Sequence, residues 1–385
     1  MFKKSIIAIS VALILSGCGS NGDSDEEIAA VTTTAIGQFK DSNTAGVSYV
    51  SGDQSGITNT NGDFTYEVGK TVTFSIGGVT LGASNGKSVV TPVDLVSGGS
   101  STSIEVQNIA RFLMMLDDDG NPGNGINISE SVQTAAKTWA QVDFSATDIS
   151  TELITIISEA ASADGGLHQL PSASDAQAHL ETTLLCSYAG AYKGTYSGND
   201  NGRFGVLIDA INGNVVGLAY SVPDDEFLGL SATTPISFDQ DVAFVSGDTT
   251  TGATFSGQFN SVNEVAGLWN NPFFSTNGSF SGSRIGGATD ARYRFTGSYT
   301  GNDFGLFSFD INSSNDVTGV SYSISGDELL TVSGTVSGTT LTATASDNTA
   351  ITGTLNTVTG GLSGTWNDSA EGLSGTFSGN GCQLN

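Results

Sequence analysis

Alternation of polar and apolar residues dominates the chain between residues 35 and 100. Segments such as DFTYEV (residues 63–68), TVTFSI (71–76) and GVTLG (78–82) place apolar side chains at every second position, between Asn-Gly and Gly-Gly turn signals. Such alternation over short runs is typical of half-buried antiparallel strands. The pattern predicts a β-sandwich-like module over residues 35–100.

The apolar spacing becomes helical between residues 101 and 185. The apolar positions of IEVQNIARFLMML recur at three- and four-residue intervals: Val106, Ile109, Ala110, Leu113 and Leu116. Three further helices are expected to begin at Ser129, at Asp148 or Ser150, and at Pro171–Asp175, where capping residues precede apolar runs. The sequence therefore predicts a small helical subdomain that carries an acidic loop after its first helix.

The rest of the chain contains an internal repeat of about 100 residues. KGTYSGNDNGRFGVLIDAINGNVVGLAYSV, from Lys193, matches TGSYTGNDFGLFSFDINSSNDVTGVSYSI, from Thr296, and GLWNN matches GTWND further along. Each copy, residues 186–287 and 288–385, predicts seven or eight short antiparallel strands with regularly spaced glycines, which suits a small barrel or a sandwich. The pattern leaves open whether the two copies close separately or together.

The predicted fold class is thus mainly β with a small α-helical subdomain: an N-terminal β-sandwich-like module, a helical middle, and a C-terminal duplicated antiparallel β-meander that is barrel-like. The N-terminal module resembles carboxypeptidase-regulatory-like β-sandwich domains at these positions: Gly37, Asp41, Gly46-Val47, Thr58, Gly62 and Phe64. The repeats are similar in pattern to the β-barrel lobes of Gram-negative surface lipoproteins, such as transferrin-binding proteins. The resemblance of the N-terminal module implies a spacer or binding domain and not a catalyst.

The N-terminus has the features of a bacterial lipoprotein signal. Lys3 and Lys4 precede the apolar run Ile6–Leu15, which is too short to span a bilayer. The sequence Leu15-Ser16-Gly17-Cys18 resembles a lipobox, which implies cleavage of residues 1–17 as a signal peptide and lipidation of Cys18. A lipid-anchored N-terminus makes the membrane a predicted partner.

The residues after Cys18 bear on localisation. Gly19 is not the aspartate that usually retains a Gram-negative lipoprotein at the inner membrane, so the resemblance implies anchoring in the outer membrane. Residues 18–34 are small, acidic and aperiodic, and they predict a flexible tether. Exposure at the cell surface is expected, with the periplasmic face left open as the alternative.

The net charge bears on the possible partners of the protein, and the number of cysteines bears on disulfide formation. The 12 basic and 39 acidic residues leave a net charge of −27, which repels phosphate backbones and argues against nucleic acid as a partner. With Cys18 assigned to lipid, Cys186 and Cys382 remain, and in an extracytoplasmic protein two such cysteines are expected to pair.

Three consecutive aspartates, residues 117–119, follow the predicted end of the first helix, where the helix dipole disfavours anions. Asp117, Asp119 and Asn121 offer oxygen atoms at alternate positions and resemble the D-x-D-x-N start of EF-hand or dockerin-type loops. The following positions depart from that pattern, because proline and isoleucine stand where glycine and a bidentate acid are expected. Two interpretations stay open: a calcium site with these three residues as ligands, or a solvated loop.

No catalytic constellation is recognisable, and we do not expect an enzyme. Gly82-Ala83-Ser84-Asn85-Gly86 has the spacing of a nucleophile elbow, but an extended segment follows where that motif requires a helix. Asp209 and Asp310 are interpreted as occupying similar places in the two repeats, which favours turn roles over a glycosidase acid and base.

The repeat-equivalent tryptophans Trp269 and Trp366 are the candidate ligand-binding residues, as a stacking platform for a glycan; packing in a core is the alternative. The sequence as a whole predicts an outer-membrane lipoprotein that acts as a non-catalytic binding, adhesion or ligand-capture module. Its ligand would be a glycan, a protein or a small hydrophobic molecule. The alternative is a periplasm-facing lipoprotein with a structural or envelope-assembly role.

Overall fold

The computed structural model describes residues 32–232, 235–239, 242–288 and 291–384. The predicted signal peptide, lipobox and most of the tether lie outside the described residues. The described chain is mainly β with four α-helices, as the sequence predicted. Within the described ranges, no helix combines the length and apolar character needed to cross a bilayer.

Two small sheets form the N-terminal region. Its strands are β1 (Thr34–Phe39), β2 (Thr44–Ala45), β3 (Ser48–Ser51), β4 (Gln54–Ile57), β5 (Asp63–Glu67), β6 (Thr71–Ile76), β7 (Val79–Asn85) and β8 (Val89–Val90). One sheet has the order β5-β1-β8 and the other β4-β3-β6-β7. Buried rings join the two sheets: Phe74 on β6 lies 4.7 Å from Phe39 and 5.0 Å from Phe64, between ring centroids. This packing gives the sandwich-like character that the alternation predicted.

Four helices follow: α1 (Ile104–Met115), α2 (Glu130–Ala135), α3 (Ser150–Asp164) and α4 (Ala173–Tyr188). Ser129 and Ser172 cap α2 and α4 by accepting hydrogen bonds from backbone N–H groups in the first turn. A two-residue strand, β9 (Ile126–Asn127), pairs in parallel with β2. One continuous hydrophobic core joins the sheets to the helices, so the boundary at residue 100 separates types of secondary structure and not separate cores.

The first repeat forms a closed barrel. Its strands are β10 (Gly190–Gly198), β11 (Gly202–Ile208), β12 (Val215–Ser221), β13 (Glu226–Ala232), β14 (Ser237–Asp239), β15 (Val242–Thr249), β16 (Thr254–Ser261), β17 (Glu264–Asn271) and β18 (Thr276–Arg284). Pairing of β10 with β18 and of β13 with β15 closes an eight-stranded circuit, and the short β14 pairs with the start of β15.

The second repeat closes by itself into another eight-stranded barrel. Its strands are β19 (Ala291–Gly301), β20 (Gly305–Asn312), β21 (Asp316–Ser323), β22 (Glu328–Ser337), β23 (Thr340–Ala345), β24 (Ala350–Leu355), β25 (Gly361–Asp368) and β26 (Leu373–Gln383). The duplicated antiparallel meander is therefore confirmed, and the question that the sequence left open is answered by two barrels.

Strand register corrects one assignment within the repeat. Asp310 on β20 pairs with Arg294 on β19, whereas the corresponding pair of the first barrel is Leu207 with Ala191. Asp310 is therefore equivalent to Leu207, and the interpretation of Asp209 and Asp310 as equivalent turn residues was wrong. Asp209 follows the end of β11 at Ile208, whereas β20 continues to Asn312 and contains Asp310.

Inward-facing glycines make room for aromatic rings in both barrels. A Cβ atom at Gly257 or Gly267 would lie 2.5 or 2.6 Å from the ring of Phe280. In the second barrel, Gly353 and Gly364 stand in the same relation to Phe377. Glycine is needed at these strand positions because a ring lies directly over the backbone.

The end of α4 closes one end of the first barrel. Leu185 and Tyr188 pack against the core cluster of that barrel, which includes Tyr192. Tyr192 is fully buried, and its hydroxyl donates to the backbone oxygens of Tyr188 and Val262 at 2.7 and 2.9 Å. Burial raises the pKa of Tyr192 to about 12, so this hydroxyl remains a hydrogen-bond donor.

The predicted disulfide between Cys186 and Cys382 is confirmed, with 5.9 Å between the two Cα atoms. It joins the last turn of α4 to the end of β26. Lys40 reaches the same region and donates to the backbone oxygen of Leu384 at 2.7 Å. Contacts from three separate parts of the chain therefore converge where the second barrel ends.

Candidate functional site

A cavity of about 590 Å³ occupies the interior of the first barrel. Small-molecule sites have volumes of about 300–1,000 Å³ and are mostly apolar with a few polar groups. The deeper wall is apolar and is formed by these residues: Phe204, Val206, Ile208, Val215, Leu228, Leu230, Phe255, Phe259, Val265 and Phe280. The cavity thus has the size and lining of a small-molecule site.

Strand alternation places these side chains inside. Phe204, Val206 and Ile208 are alternate residues of β11, and Phe255 and Phe259 lie on one face of β16. Successive side chains of a strand point to opposite faces, so every second residue of each strand lines the interior. Because α4 closes the other end, the open end lies at the turns that follow β10, β12, β15 and β17.

The corresponding interior of the second barrel holds a cluster of aromatic rings. Phe309 stacks on Phe307 with 4.6 Å between ring centroids, and Phe377 lies 5.5 Å from Phe307. Aligning the repeats from Lys193 and Thr296 places Val206 at the position of Phe309. A short aliphatic side chain in the first barrel therefore stands where a ring fills the middle of the second.

Two rings of that cluster have counterparts in the first barrel, because Phe204 and Phe280 stand at the positions of Phe307 and Phe377 and line the cavity. Phe255 and Phe259 occupy positions where the second barrel has Ile351 and Leu355. The hairpin of β15 and β16 also has longer strands than its counterpart, β23 and β24. The two copies thus share a fold and differ in the side chains that line the interior.

A hydrogen-bonded network frames the open end of the cavity. The Tyr196 hydroxyl donates to Asp200 at 3.0 Å, and the Ser221 hydroxyl donates to the other oxygen of that carboxylate at 3.0 Å. Burial, reinforced by Asp200, raises the pKa of Tyr196 above its usual range, so the phenol stays a neutral donor. Tyr299 and Ser323 bond Asp303 in the same way in the second barrel, which indicates a structural role for the network.

The charged residues that line the cavity at this end are all acidic. Asp200, Asp224 and Glu226 line the cavity there, and its described lining residues include no lysine, arginine or histidine. The position of Asp224 is occupied by glycine in the second repeat, so that carboxylate is particular to the first barrel. This field opposes a ligand that carries a negative charge and favours a neutral or cationic one.

Two exposed aromatic residues stand beside the opening. Phe273 and Phe274, in the turn between β17 and β18, are 87% and 71% exposed, and Phe274 also lines the cavity. Aligning GLWNN with GTWND places Ala370 and Glu371 at these positions in the second repeat. The two phenylalanines of this rim therefore have no aromatic counterpart in the second repeat.

The two predicted ligand-binding tryptophans have similar surroundings. The indole N–H of Trp269 donates to the backbone oxygen of Ser197 at 3.1 Å, and that of Trp366 donates to Thr300 at 3.2 Å. Each ring meets a tyrosine edge-on at 6.0 Å. Each tryptophan therefore reaches across one strand, from β17 over β18 to β10 in the first barrel and from β25 over β26 to β19 in the second. Trp269 also contributes to the cavity lining. Their role in binding stays a prediction.

The predicted metal ligands lie in the loop after α1, away from the barrels' interiors. Asp117 is 2% exposed, and burial raises its pKa to about 6. Asp119 is exposed and accepts a hydrogen bond from the backbone N–H of Asn121 at 2.8 Å. The solvated-loop interpretation therefore does not describe Asp117.

The side chains of Asp41 and Ser42, which follow β1, lie close to His179 on α4. Ser42, with a φ of 61°, lies 3.2 Å from His179 Nε2, and Asp41 lies 3.6 Å from the same nitrogen. In a Ser-His-Asp relay the carboxylate holds the opposite imidazole nitrogen. This arrangement lacks that geometry. Burial, opposed by His179, raises the pKa of Asp41 to about 6.

Val206, Phe273 and Phe274 are the residues that sequence reasoning missed. The signal was present in the repeat, because a residue-by-residue alignment of the copies shows where one carries a valine or two phenylalanines and the other does not. Differences between copies, and not the shared motifs, mark the candidate site.

No family model and no curated protein matches this sequence. Among solved structures, the chain is similar to a protein of unknown function from the DUF3598 family of Nostoc punctiforme, with 8% identity and a TM-score of 0.20, covering 51% of this chain and 97% of that one. A mutant of the vaccine antigen Transferrin Binding Protein B from Haemophilus parasuis has 8% identity and a TM-score of 0.19, covering 50% and 76%. Intact Ap-TbpB has 9% identity and a TM-score of 0.18, covering 50% and 77%. At these TM-scores the similarities carry no argument about function.

Proposed function

We propose that the first barrel captures a neutral or cationic apolar small molecule, and that the protein does so at the cell envelope without catalysing a reaction. The observation that supports this is the cavity of about 590 Å³ in the first barrel, where Val206 stands at the position of the stacked Phe309 ring of the second. A duplicated fold needs no internal space for stability, because unfilled volume costs dispersion contacts. An open interior in one copy therefore favours a ligand.

The lining defines the chemistry of that ligand. The deep apolar wall suits an alkyl or aromatic body, and the carboxylates at the opening suit a hydroxyl, amide or amine at its outer end. A fatty acid that placed its alkyl chain against the deep wall would bring its carboxylate towards Asp224 and Glu226. Repulsion and desolvation would weaken its binding.

Filling the cavity should weaken binding. We expect the segment Thr33–Asn385, which forms one compact unit, to bind the neutral fluorescent probe N-phenyl-1-naphthylamine. Val206→Phe should weaken that binding at least tenfold, because the new ring occupies the ligand's volume. Fluorescence titration measures both affinities. Dodecylamine should displace the probe at lower concentration than dodecanoate, and Asp224→Asn should reduce that difference.

The matched control makes the same change on the outside of the barrel. Val216 lies on β12 and is 50% exposed, so Val216→Phe should leave probe affinity unchanged. Equal binding by wild type and the Val206→Phe variant would show that the probe binds elsewhere and would refute the cavity as the site.

We further propose that Cys18 anchors the protein in the outer membrane. The support is the lipobox pattern at residues 15–18 and the acidic, aperiodic segment after it. Cys18→Ala should abolish incorporation of radiolabelled palmitate in cells, and the chain should keep residues 1–17 because cleavage requires the lipidated cysteine. The Cys186→Ala/Cys382→Ala variant should retain the label. Labelling that persists without Cys18 would contradict the anchor.

A further inference from the structure

The loop that follows α1 brings three carboxylates to one point. Each of Asp117, Asp118 and Asp119 offers an oxygen atom, and these three atoms lie within 4.8 Å of one another. Oxygen atoms that share one calcium ion at 2.3–2.6 Å can be separated by at most about 5 Å. The spacing therefore fits three ligands of a single cation.

The buried member of the cluster has an unused oxygen. Asp117 Oδ1 accepts the backbone N–H of Asn127 at 2.9 Å, but Oδ2 has no hydrogen-bond partner among the described residues and is shielded from solvent. A buried carboxylate oxygen without a donor costs free energy, and such atoms are rare unless an ion or water meets them. This oxygen is the observation, independent of the acidic cluster, that points to a ligand.

The other two carboxylates are held in place by neighbouring amides. Asn127 Nδ2 donates to Asp118 at 2.6 Å, and Asn124 Nδ2 donates to Asp119 at 2.9 Å. Asn121 also helps, through its backbone N–H to Asp119 at 2.8 Å. These bonds leave each carboxylate a second oxygen or lone pair and orient it before any ion arrives.

Among the described residues, no basic side chain forms a salt bridge with the cluster. The salt bridges of the described chain join other residues, and none reaches residues 117–119. The carboxylates also follow the C-terminus of α1, where the helix dipole adds further negative potential. A bound cation would relieve this repulsion.

We propose that Asp117, Asp118 and Asp119 together bind one calcium ion. All three donors are hard oxygens, and the exposed side of the loop leaves room for water to complete the coordination that calcium requires. Magnesium demands stricter octahedral geometry and gives up its water reluctantly, so a carboxylate cluster on an irregular loop favours calcium. Asn121 is assigned to shaping the loop and not to direct ligation through its side chain.

The position of the site suggests what the ion stabilises. Asn127 belongs to β9, which pairs with β2 of the N-terminal region. On the other side of the loop, the backbone oxygen of Gly123 accepts a hydrogen bond from Gln383 at the end of β26, at 2.9 Å. A bound ion would therefore fix a loop that contacts both the N-terminal region and the second barrel.

The test uses the full chain in a maltoside detergent, stripped with chelator and titrated with calcium chloride by isothermal calorimetry. We expect one equivalent to bind, with the thermal midpoint raised because the ion binds only the folded state. Asp118→Asn and Asp119→Asn should each weaken binding at least tenfold, and Asp117→Asn should abolish it. Magnesium should bind at least tenfold more weakly than calcium.

Asp143→Asn is the matched control. Asp143 is an exposed carboxylate that accepts the backbone N–H of Ser145, two residues later, as Asp119 does with Asn121. This variant should bind calcium like the wild type. Absence of calcium binding in the folded wild type, wild-type affinity in all three cluster variants, or equal affinity for magnesium would each overturn the proposal.

Discussion

Replacing Cys186 and Cys382 with alanine should lower the free energy of unfolding by about 5 kcal/mol, because the unfolded chain gains the freedom of a very long loop. The two cysteines are 196 residues apart, and both barrels lie between them. In the native state the bond holds the end of β26 against α4, beside the contact of Lys40 with Leu384.

Urea unfolding of the segment Thr33–Asn385 measures this effect, followed by tryptophan fluorescence. Within that segment Cys186 and Cys382 are the only cysteines, so dithiothreitol should shift the wild-type midpoint to that of the double variant. The reductant should leave the double variant unchanged. A wild-type midpoint that is insensitive to reduction would mean that the bond contributes little.

Breaking the buried ion pair of the second barrel should have the next largest effect. Arg294 and Asp310 are 4% and 2% exposed, and two hydrogen bonds of 2.8 and 3.1 Å join guanidinium and carboxylate. Asp310→Leu leaves a buried guanidinium without its counter-ion, which should lower the free energy of unfolding by about 3–5 kcal/mol. Chemical denaturation of the variant and the wild type measures the difference.

A double variant that restores stability can be designed from the equivalent positions of the first barrel. Its register-equivalent pair is Ala191 and Leu207, an apolar pair that packs in the core cluster between the barrels. Arg294→Ala/Asp310→Leu should therefore recover most of the lost stability, since no unpaired charge remains. Asp316→Leu, at an exposed carboxylate on β21, should change stability by less than about 0.5 kcal/mol. A double variant no more stable than the single one would show that the pair is needed for packing.

Local patterns of apolar residues were sufficient to predict individual helices and strands. The alternation at residues 71–76 became β6, and the helical spacing of Val106, Ile109 and Leu113 became the buried face of α1. These predictions succeed because strand and helix periodicities depend on which side chains must leave water within a few residues. The pairing of Cys186 with Cys382 was also accessible, since two cysteines allow one connectivity.

The candidate sites could be recognised only with the tertiary structure. Asp117 was recognisable as a misplaced acid after a helix, but its burial and its unpartnered oxygen depend on how the loop packs against β9. Val206 gave no local signal, because valine on a strand is ordinary in either copy. Its meaning arises from comparison with Phe309 across a closed barrel.

The sequence by itself determined the strand and helix types, the duplication, the disulfide and the strongly acidic charge, because each depends on composition or on short-range periodicity. Only the tertiary structure decided that the copies form two barrels, that one encloses a cavity, and that Asp310 pairs with Arg294. Closure of a barrel and the filling of its interior depend on strands distant in sequence. The same alternating pattern is compatible with an open or a filled interior until eight strands meet.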